Sequence, residues 1–304
     1  MFRTVTVYQG EKIAVKQNHM VVTGPDGEKS IPIEDLYSVV IDNQQTVMTV
    51  PAVSKLTEAG VHILICNEKH LPTSVILSQT EHYRPLGVIR NQMAMPREIK
   101  DALWDRIVVQ KIVNQAKALS FCGGKPERVN RLIELSNEVK DGDAGNREGI
   151  AARIFFHEMY GLSFVRMYDD AINAALNYGY TVIRSSVAKT LGAYGFNCVL
   201  GIHHINESNY FNLADDLMEP LRPIVDMWVS ENHEDLLDDL TKNQKNALAA
   251  LVNEVVLIDG KKMRVRNAID RYVASLAGAM NKPDAKLLKL PELLKRDIYN
   301  DADD

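Results

Sequence analysis

The sequence predicts an α+β protein: a small N-terminal β-rich domain followed by a larger all-α domain. Two changes along the chain carry this. Over residues 1–83, short apolar runs alternate with polar residues at the period of a half-buried strand, separated by turn formers. From about Arg97, apolar residues recur three and four positions apart, the period of a helix. Between the two, Pro85, Gly87 and Pro96 interrupt any long helix. The predicted organisation is residues 1–83 as the β-rich domain, 84–96 as linker, and 97–304 as the helical domain with a loose C-terminal tail.

Each element has a local reason. Thr4-Val5-Thr6-Val7 and Lys12-Ile13-Ala14-Val15-Lys16 alternate as strands, and Gly24-Pro25-Asp26-Gly27 is a turn signal. Tyr37 to Ile41 reads as a strand. Pro51 to Ala59 reads as a short helix, with Pro near its first position and Gly60 past its end. Val61 to Cys66 and Ser74 to Leu77 are apolar strands around a turn with Pro72. His62 lies inside an apolar run without acidic company, so it reads as a packed sheet residue.

In the second half, Ala102, Trp104, Ile107, Val108 and Ile112 form a helical stripe. Phe121 to Pro126 lacks the first Gly and the Ser/Thr of a phosphate loop, and reads as a helix stop. Residues 141–145 form a loop before a helix that runs to about Met159. On it Glu148 shares a stripe with Ala151, Ala152 and Phe155, where a carboxylate needs a partner. That partner is either a metal or an arginine such as Arg153. A helix over 162–178 places Arg166, Asp169 or Asp170, Asn173 and Asn177 on one face, as solvent surface or as the lining of a polar cleft. Residues 224–229 continue an apolar helix, 243–257 read as helical, and Asp259-Gly260 is a turn. The tail from Asn281, ending Asp301-Ala302-Asp303-Asp304, reads as loose.

Composition sets the class. At 304 residues, 46% hydrophobic and 25% charged, the chain can bury a substantial core. The net charge of −5 opposes phosphate binding on average but does not exclude a basic face. Glu231 to Asp239 is acidic. Lys261, Lys262, Arg264, Arg266 and Arg271 form a basic run, either solvated or set against DNA phosphates. Cys66, Cys122 and Cys198 are widely spaced, so zinc-ribbon and thioredoxin readings fail, and reduced thiols of a cytoplasmic protein are expected. The strand-like start MFRTVTVYQG predicts no signal peptide, and no apolar run approaches the ~18 residues of a membrane span.

The chemistry concentrates in residues 197–223, NCVLGIHHINESNYFNLADDLMEPLRP. Imidazoles at His203 and His204 with carboxylates at Asp215, Asp216 and Glu219 suit a divalent cation such as Mn2+ or Mg2+. Asp216 and Glu219 are three apart and share a helix face. Asn212 is the expected N-cap, with Asp215 and Asp216 in the first turn. Pro220 removes the partner of the residue 216 carbonyl, which predicts a kink beside the carboxylates. If the histidines are extended, they point to opposite faces and only one of them meets a metal.

This stretch resembles the active-site segment of the CRISPR-associated integrase family, the first-numbered Cas protein of spacer acquisition. The resemblance rests on Gly201-Ile202-His203-His204 and Asp216-Leu217-Met218-Glu219-Pro220-Leu221-Arg222. It extends to Arg147-Glu148-Gly149-Ile150-Ala151-Ala152-Arg153 and to Asn173-Ala174-Ala175-Leu176-Asn177-Tyr178-Gly179-Tyr180. The double histidine and the Phe211 to Asp216 run are similar to the type II branch.

The resemblance implies that Glu148, His204 and Glu219 hold Mn2+ or Mg2+, with Asp216 as a further catalytic residue. The choice of His204 over His203 rests on it alone. It implies an endonuclease and integrase that inserts short foreign DNA fragments into a CRISPR array. The 3′-hydroxyl of a fragment attacks a phosphodiester at a repeat end. It further implies a homodimer built by the β domain, double-stranded DNA as partner, and a second small adaptation protein in a heterohexamer-like assembly, with type II accessory proteins. Arg147, Arg153, Arg166, Asn173, Asn177, Lys261, Lys262, Arg264 and Arg266 are the candidate DNA contacts. Two other readings stand beside it: a non-catalytic DNA-bridging scaffold, and an HD-type phosphohydrolase. The second lacks its His-Asp dipeptide.

Overall fold

The structure, a computed structural model, describes residues 2–78, 82, 84–237 and 239–295. Strands open the chain: β1 (Arg3–Val7), β2 (Lys12–Lys16), β3 (His19–Gly24), β4 (Gly27–Pro32), β5 (Leu36–Ile41) and β6 (Val47–Met48). Helix α1 (Val50–Glu58) follows, then β7 (His62–Cys66) and β8 (Pro72–Ile76). Gly27 takes φ +98° in the β3–β4 turn, a conformation that glycine tolerates. The Thr49 hydroxyl caps α1 by accepting from Ala52 N, and Pro51 sits in its first turn.

These strands form two sheets, ordered β1-β5-β7-β8 and β4-β3-β2-β6. In the first, β5 pairs in parallel with both β1 and β7. All six of its residues are buried, which is why Leu36–Ile41 reads as a run and not an alternation. Ile13, Met20, Leu36, Leu56 and Ile63 fill the small core. The other face of this sheet joins the helical core through Tyr37, Val40, Leu64 and Cys66. The two halves are also tied by a buried ion pair, Lys245 Nζ to Asp42 Oδ2 at 2.9 Å. His62 is buried edge-on against Tyr37, in keeping with a packed sheet residue.

The helical half comprises α2 (Pro85–Ala94), α3 (Arg97–Phe121), α4 (Pro126–Asn137), α5 (Arg147–Tyr160), α6 (Ala171–Ala193), α7 (Asn212–Met218), α8 (Arg222–Glu231) and α9 (Lys242–Ala250). After these come β9 (Val255–Ile258), β10 (Lys261–Arg264), α10 (Val265–Asn281) and β11 (Glu292–Leu293). Helices α3 and α6 run through the core, with Ile107, Ile112, Tyr178 and Ile183 fully enclosed. Gly179 lets α6 approach α8: a Cβ there would lie 2.5 Å from Val225 Cγ1. No helix among the described residues is long and apolar enough to cross a membrane.

Several expectations need correction. The half after residue 97 is not all-α, because β10-β9-β11 form a sheet. The helix expected to reach Leu257 ends at Ala250, and the β-branched Val255-Val256 lead a strand instead. The linker holds a helix, α2, since Pro85 stands in its first turn, where its missing N–H is harmless. The helix expected over 162–178 begins at Ala171, capped by Asp170 accepting from Asn173 N, and runs to Ala193. The tail is not loose as far as it is described: Leu288 and Leu293 are buried and β11 pairs with β9. Its acidic end, residues 301–304, lies outside the described residues.

Candidate active site

The site is built on Asp216, which is fully buried on α7. Its Oδ2 accepts from the backbone N–H of Ile202 (2.6 Å) and of His203 (3.1 Å). Its Oδ1 accepts from His204 N (3.1 Å) and pairs with His204 Nδ1 (2.6 Å). The Gly201–His204 loop is thus folded onto one carboxylate. Gly201 is required there, because a Cβ would stand 2.2 Å from the His204 carbonyl oxygen. The contact at Nδ1 leaves Nε2 of His204 as its remaining donor atom, the arrangement common among metal-binding histidines. The hydrogen bond to Asp216 raises the pKa of His204, against the opposing effect of burial. Both oxygens of Asp216 are therefore committed to the loop, and the carboxylate orients the His204 ring.

The two histidines are not in a strand, so they do not point apart as extended neighbours would. Both lie on Trp104 of α3. His203 stacks on the indole with centroids 4.2 Å apart, and His204 meets it edge-on at 5.6 Å. Burial lowers the pKa of His203.

The expected break at Pro220 is present: α7 stops at Met218, a 3₁₀ turn spans Glu219–Leu221, and α8 resumes at Arg222. It turns Glu219 into the interior. Asn212, expected to cap α7, is its first residue instead. Its amide donates to the carbonyls of Val199 and Asn206, which ties the histidine loop to the helix.

Glu148 and Glu219 come from helices far apart in sequence and meet on one ammonium. Lys111 Nζ of α3 pairs with Glu148 Oε1 and with Glu219 Oε2. Lys111 and Glu219 are both buried. Glu219 Oε1 accepts from Arg222 Nε at 2.8 Å. Burial alone would raise the Glu219 pKa, but Arg222 and Lys111 overcome it and hold the carboxyl at about 2. Lys111, which burial would deprotonate, is kept charged by Glu219 and Glu148. The partner of Glu148 is therefore neither Arg153 nor another arginine. Asn146 starts its helix, accepting from Gly149 N.

The donor chemistry fits a hard divalent cation: two carboxylates that already share one cation, and an imidazole tied through Nδ1 to a carboxylate. Among the described residues, however, no three His, Cys, Asp or Glu side chains are grouped closely enough to hold an ion. The structure brings Glu148 and Glu219 together on Lys111 and leaves His204 outside that pair.

Beside the carboxylates lies a polar cavity of about 400 Å3 lined by Arg166, Asn177, Tyr180, Arg184, Asp215 and Arg222, among others. Arg166, though outside α6, donates to Asn173 Oδ1 and Asn177 Oδ1, both at 2.8 Å, so the expected Arg/Asn face is assembled. Arg166 and Arg222 both approach the Tyr180 ring, at 5.2 and 4.6 Å. Asp169 instead pairs with Lys69. The other candidate DNA contacts are elsewhere. Arg147 pairs with Glu138, and Arg153 lines a cavity with Lys125, Arg128 and His157. Lys261, Lys262 and Arg264 stand on β10, and Arg266 bonds Asn253 and the Phe2 carbonyl. Sequence reasoning missed Lys111, Trp104 and Arg184. Trp104 and Lys111 are seven residues apart on the predicted stripe, a spacing that puts both on one face.

A family model described as "CRISPR associated protein Cas1" matches residues 5–254. The CRISPR-associated endonuclease Cas1 of Neisseria meningitidis serogroup C (strain 8013) is 36% identical over 300 residues, spanning 98% of both chains. Cas1 1 of Francisella tularensis subsp. novicida (strain U112) is 22% identical, over 88% of this chain and 92% of its own. Among solved structures, a casposase bound to integration product has a TM-score of 0.79 at 18% identity, covering 98% of this chain and 96% of that one. A Cas1 protein from Thermotoga maritima has a TM-score of 0.74 at 14% identity, covering 92% of this chain and 97% of that one. At those identities the two structures attest the fold.

Proposed function

Because this chain belongs to the CRISPR-associated Cas1 family, we propose that it is a metal-dependent DNA endonuclease and integrase that joins short DNA fragments into a CRISPR array. One observation carries the reading: Glu148 on α5 and Glu219 in the turn between α7 and α8 converge on one ammonium; Asp216 separately aligns the His204 imidazole. Glu148, Glu219 and His204 Nε2 would hold Mn2+ or Mg2+. Such an ion, when bound, polarises a phosphate oxygen and lowers the pKa of the attacking hydroxyl.

The chain's own residues then have distinct tasks. Asp216 fixes the His204 ring and its tautomer. Trp104 and His203 wall off that side of His204. Arg166, Arg184 and Arg222, around the polar cavity, orient a phosphate of the DNA backbone. In the joining step, the 3′-oxygen of the fragment forms a bond to phosphorus while the bond to the 3′-oxygen of the repeat strand breaks. The proton leaves the attacking hydroxyl and ends on the departing 3′-oxygen. The exchange is one phosphodiester for another, so it needs no external energy source. Water in place of the fragment hydroxyl gives hydrolysis.

One site makes one joint, so inserting both ends of a fragment takes at least two active subunits. That supports a homodimer, and a "Cas6-RT-Cas1--Cas2 complex" shares the fold with a TM-score of 0.73, covering 97% of this chain and 36% of that one. We place a small Cas2-like protein and double-stranded DNA among the partners on that basis, with the type II branch and its accessory proteins following from the double histidine. The test is strand transfer of a fragment into a repeat-bearing plasmid with Mn2+ or Mg2+, against a chelator. Glu148→Ala, His204→Ala and Glu219→Ala, each verified as folded, should abolish joining. Retention of joining by the folded variants would return the protein to the scaffold reading.

A further inference from the structure

We propose that Lys111 is a built-in competitor for the metal: its ammonium takes the cation's place between Glu148 and Glu219, and it must withdraw before the three-ligand set can close. The proposal rests on the metal-site reading above. Its evidence lies in how the charges are balanced. Lys111 is buried in α3 and touches both carboxylates at once, the position that an ion shared by them would take. Glu219 is already matched on its other oxygen by Arg222. Two carboxylates thus face two fixed cations, and the group is neutral as it stands.

Two consequences follow for metal binding. A divalent ion entering this group with Lys111 in place would meet two positive charges at close range, so affinity without DNA is low. The same charges explain why His204 stays outside the pair of carboxylates: Lys111 has taken the shared position, and no three candidate ligands are grouped among the described residues. A DNA phosphate in the adjacent cavity adds negative charge and gives the displaced ammonium a partner. Metal and DNA binding should therefore be positively coupled, each raising the affinity for the other by the same factor.

The experiment is calorimetric titration of Mn2+ into the full chain, with and without a repeat-sequence duplex. It compares wild type, Lys111→Met and the polar variant Lys111→Gln, each checked for cooperative thermal unfolding. Removing the competing charge should tighten Mn2+ binding without DNA by about tenfold or more, and the gap should narrow when DNA is present. Equal or weaker Mn2+ binding by both variants would overturn the proposal, while Glu148→Gln still losing the ion would leave the metal site standing. If no form binds Mn2+ even with DNA, both readings fall together. A second measurement needs no variant: reductive methylation of wild type, read by mass spectrometry at Lys111. Labelling should rise when Mg2+ saturates the protein, and unchanged protection of Lys111 under saturating Mg2+ also refutes its withdrawal.

Discussion

Replacing Asp216 with Asn tests the site most directly, because the change is nearly isosteric and its cost follows from the hydrogen bonds. The carboxylate takes the Ile202 and His203 N–H groups on Oδ2, and the His204 N–H and Nδ1 on Oδ1. An amide keeps one acceptor oxygen and turns its NH2 toward two donors. With the NH2 toward Ile202 and His203, two N–H groups face a donor; with it toward His204, the backbone N–H does and Nδ1 must become an acceptor; in both cases the charge that strengthened these bonds is gone. Hydrogen bonds to charged groups contribute about 1.5–3 kcal/mol each and are not additive here, so a loss of about 3–5 kcal/mol is expected. For a chain of this length that corresponds to a drop of roughly 5–8 °C in Tm. On the metal-site reading proposed above, strand transfer should fall by about 10–100-fold. A structural role alone would stop there. Because the Asp216 contact raises the His204 pKa, protonation of His204 should limit wild-type activity on the acid side, and Asp216→Asn should move that limb to lower pH. Scanning calorimetry and a pH series of joining rates read the two effects separately. A variant with unchanged Tm and an unmoved acid limb would refute the claim that Asp216 organises the histidine loop.

Four further outcomes follow from particular contacts. Gly201→Ala places a Cβ 2.2 Å from the His204 carbonyl oxygen, so it should abolish joining in a protein that still folds, as circular dichroism would show. Asp42→Asn strips Lys245 of a buried carboxylate partner and should cost about 3–5 kcal/mol in chemical denaturation, most of which Lys245→Met in the same chain should restore. Burial raises the Asp226 carboxyl to about 7, against the hydrogen bond from Tyr180. Its folded pKa exceeds the unfolded value of about 3.9, so its contribution is full below that value and is lost as pH rises through about 7; Asp226→Asn should flatten denaturation free energy between pH 4 and 8. Arg166→Gln should weaken DNA binding for every sequence alike and lower the slope of log affinity against log salt by about 1, read by fluorescence anisotropy.

Elements whose cause is local were legible in the sequence. Pro51 stands in the first turn of α1, Gly24 to Gly27 turn β3 into β4, and Pro220 breaks α7 from α8 where expected. The individual site side chains were legible too, since a carboxylate on an apolar stripe at Glu148 announces that something must compensate it. What compensates it was not. Lys111 lies 37 residues from Glu148 and on a different helix, and nothing near it in sequence is acidic enough to flag it. Asn212 was misread for a related reason. Its side chain satisfies two carbonyls of the preceding loop, a tertiary demand that overrides its capping preference. The sheet β10-β9-β11 was hidden because its last strand, Glu292–Leu293, arrives from beyond α10.

Net charge misleads for the same reason. A chain at −5 looks unsuited to DNA, yet charge acts locally and only where it is not already matched. Glu148 and Glu219 are matched by Lys111 and Arg222 inside the protein and contribute little field outside it. Arg166 is in the opposite state: its hydrogen-bond partners are the neutral amides of Asn173 and Asn177, which orient the guanidinium without cancelling it. Arg184 meets Asp215 only at 3.8 Å. The cavity beside the carboxylates is therefore electropositive although the chain is not. A phosphate entering it would balance the charge that Asn173 and Asn177 leave uncancelled on Arg166. The acidic residues hold the site together, and the arginines that their own pairing leaves over are the ones available to the substrate.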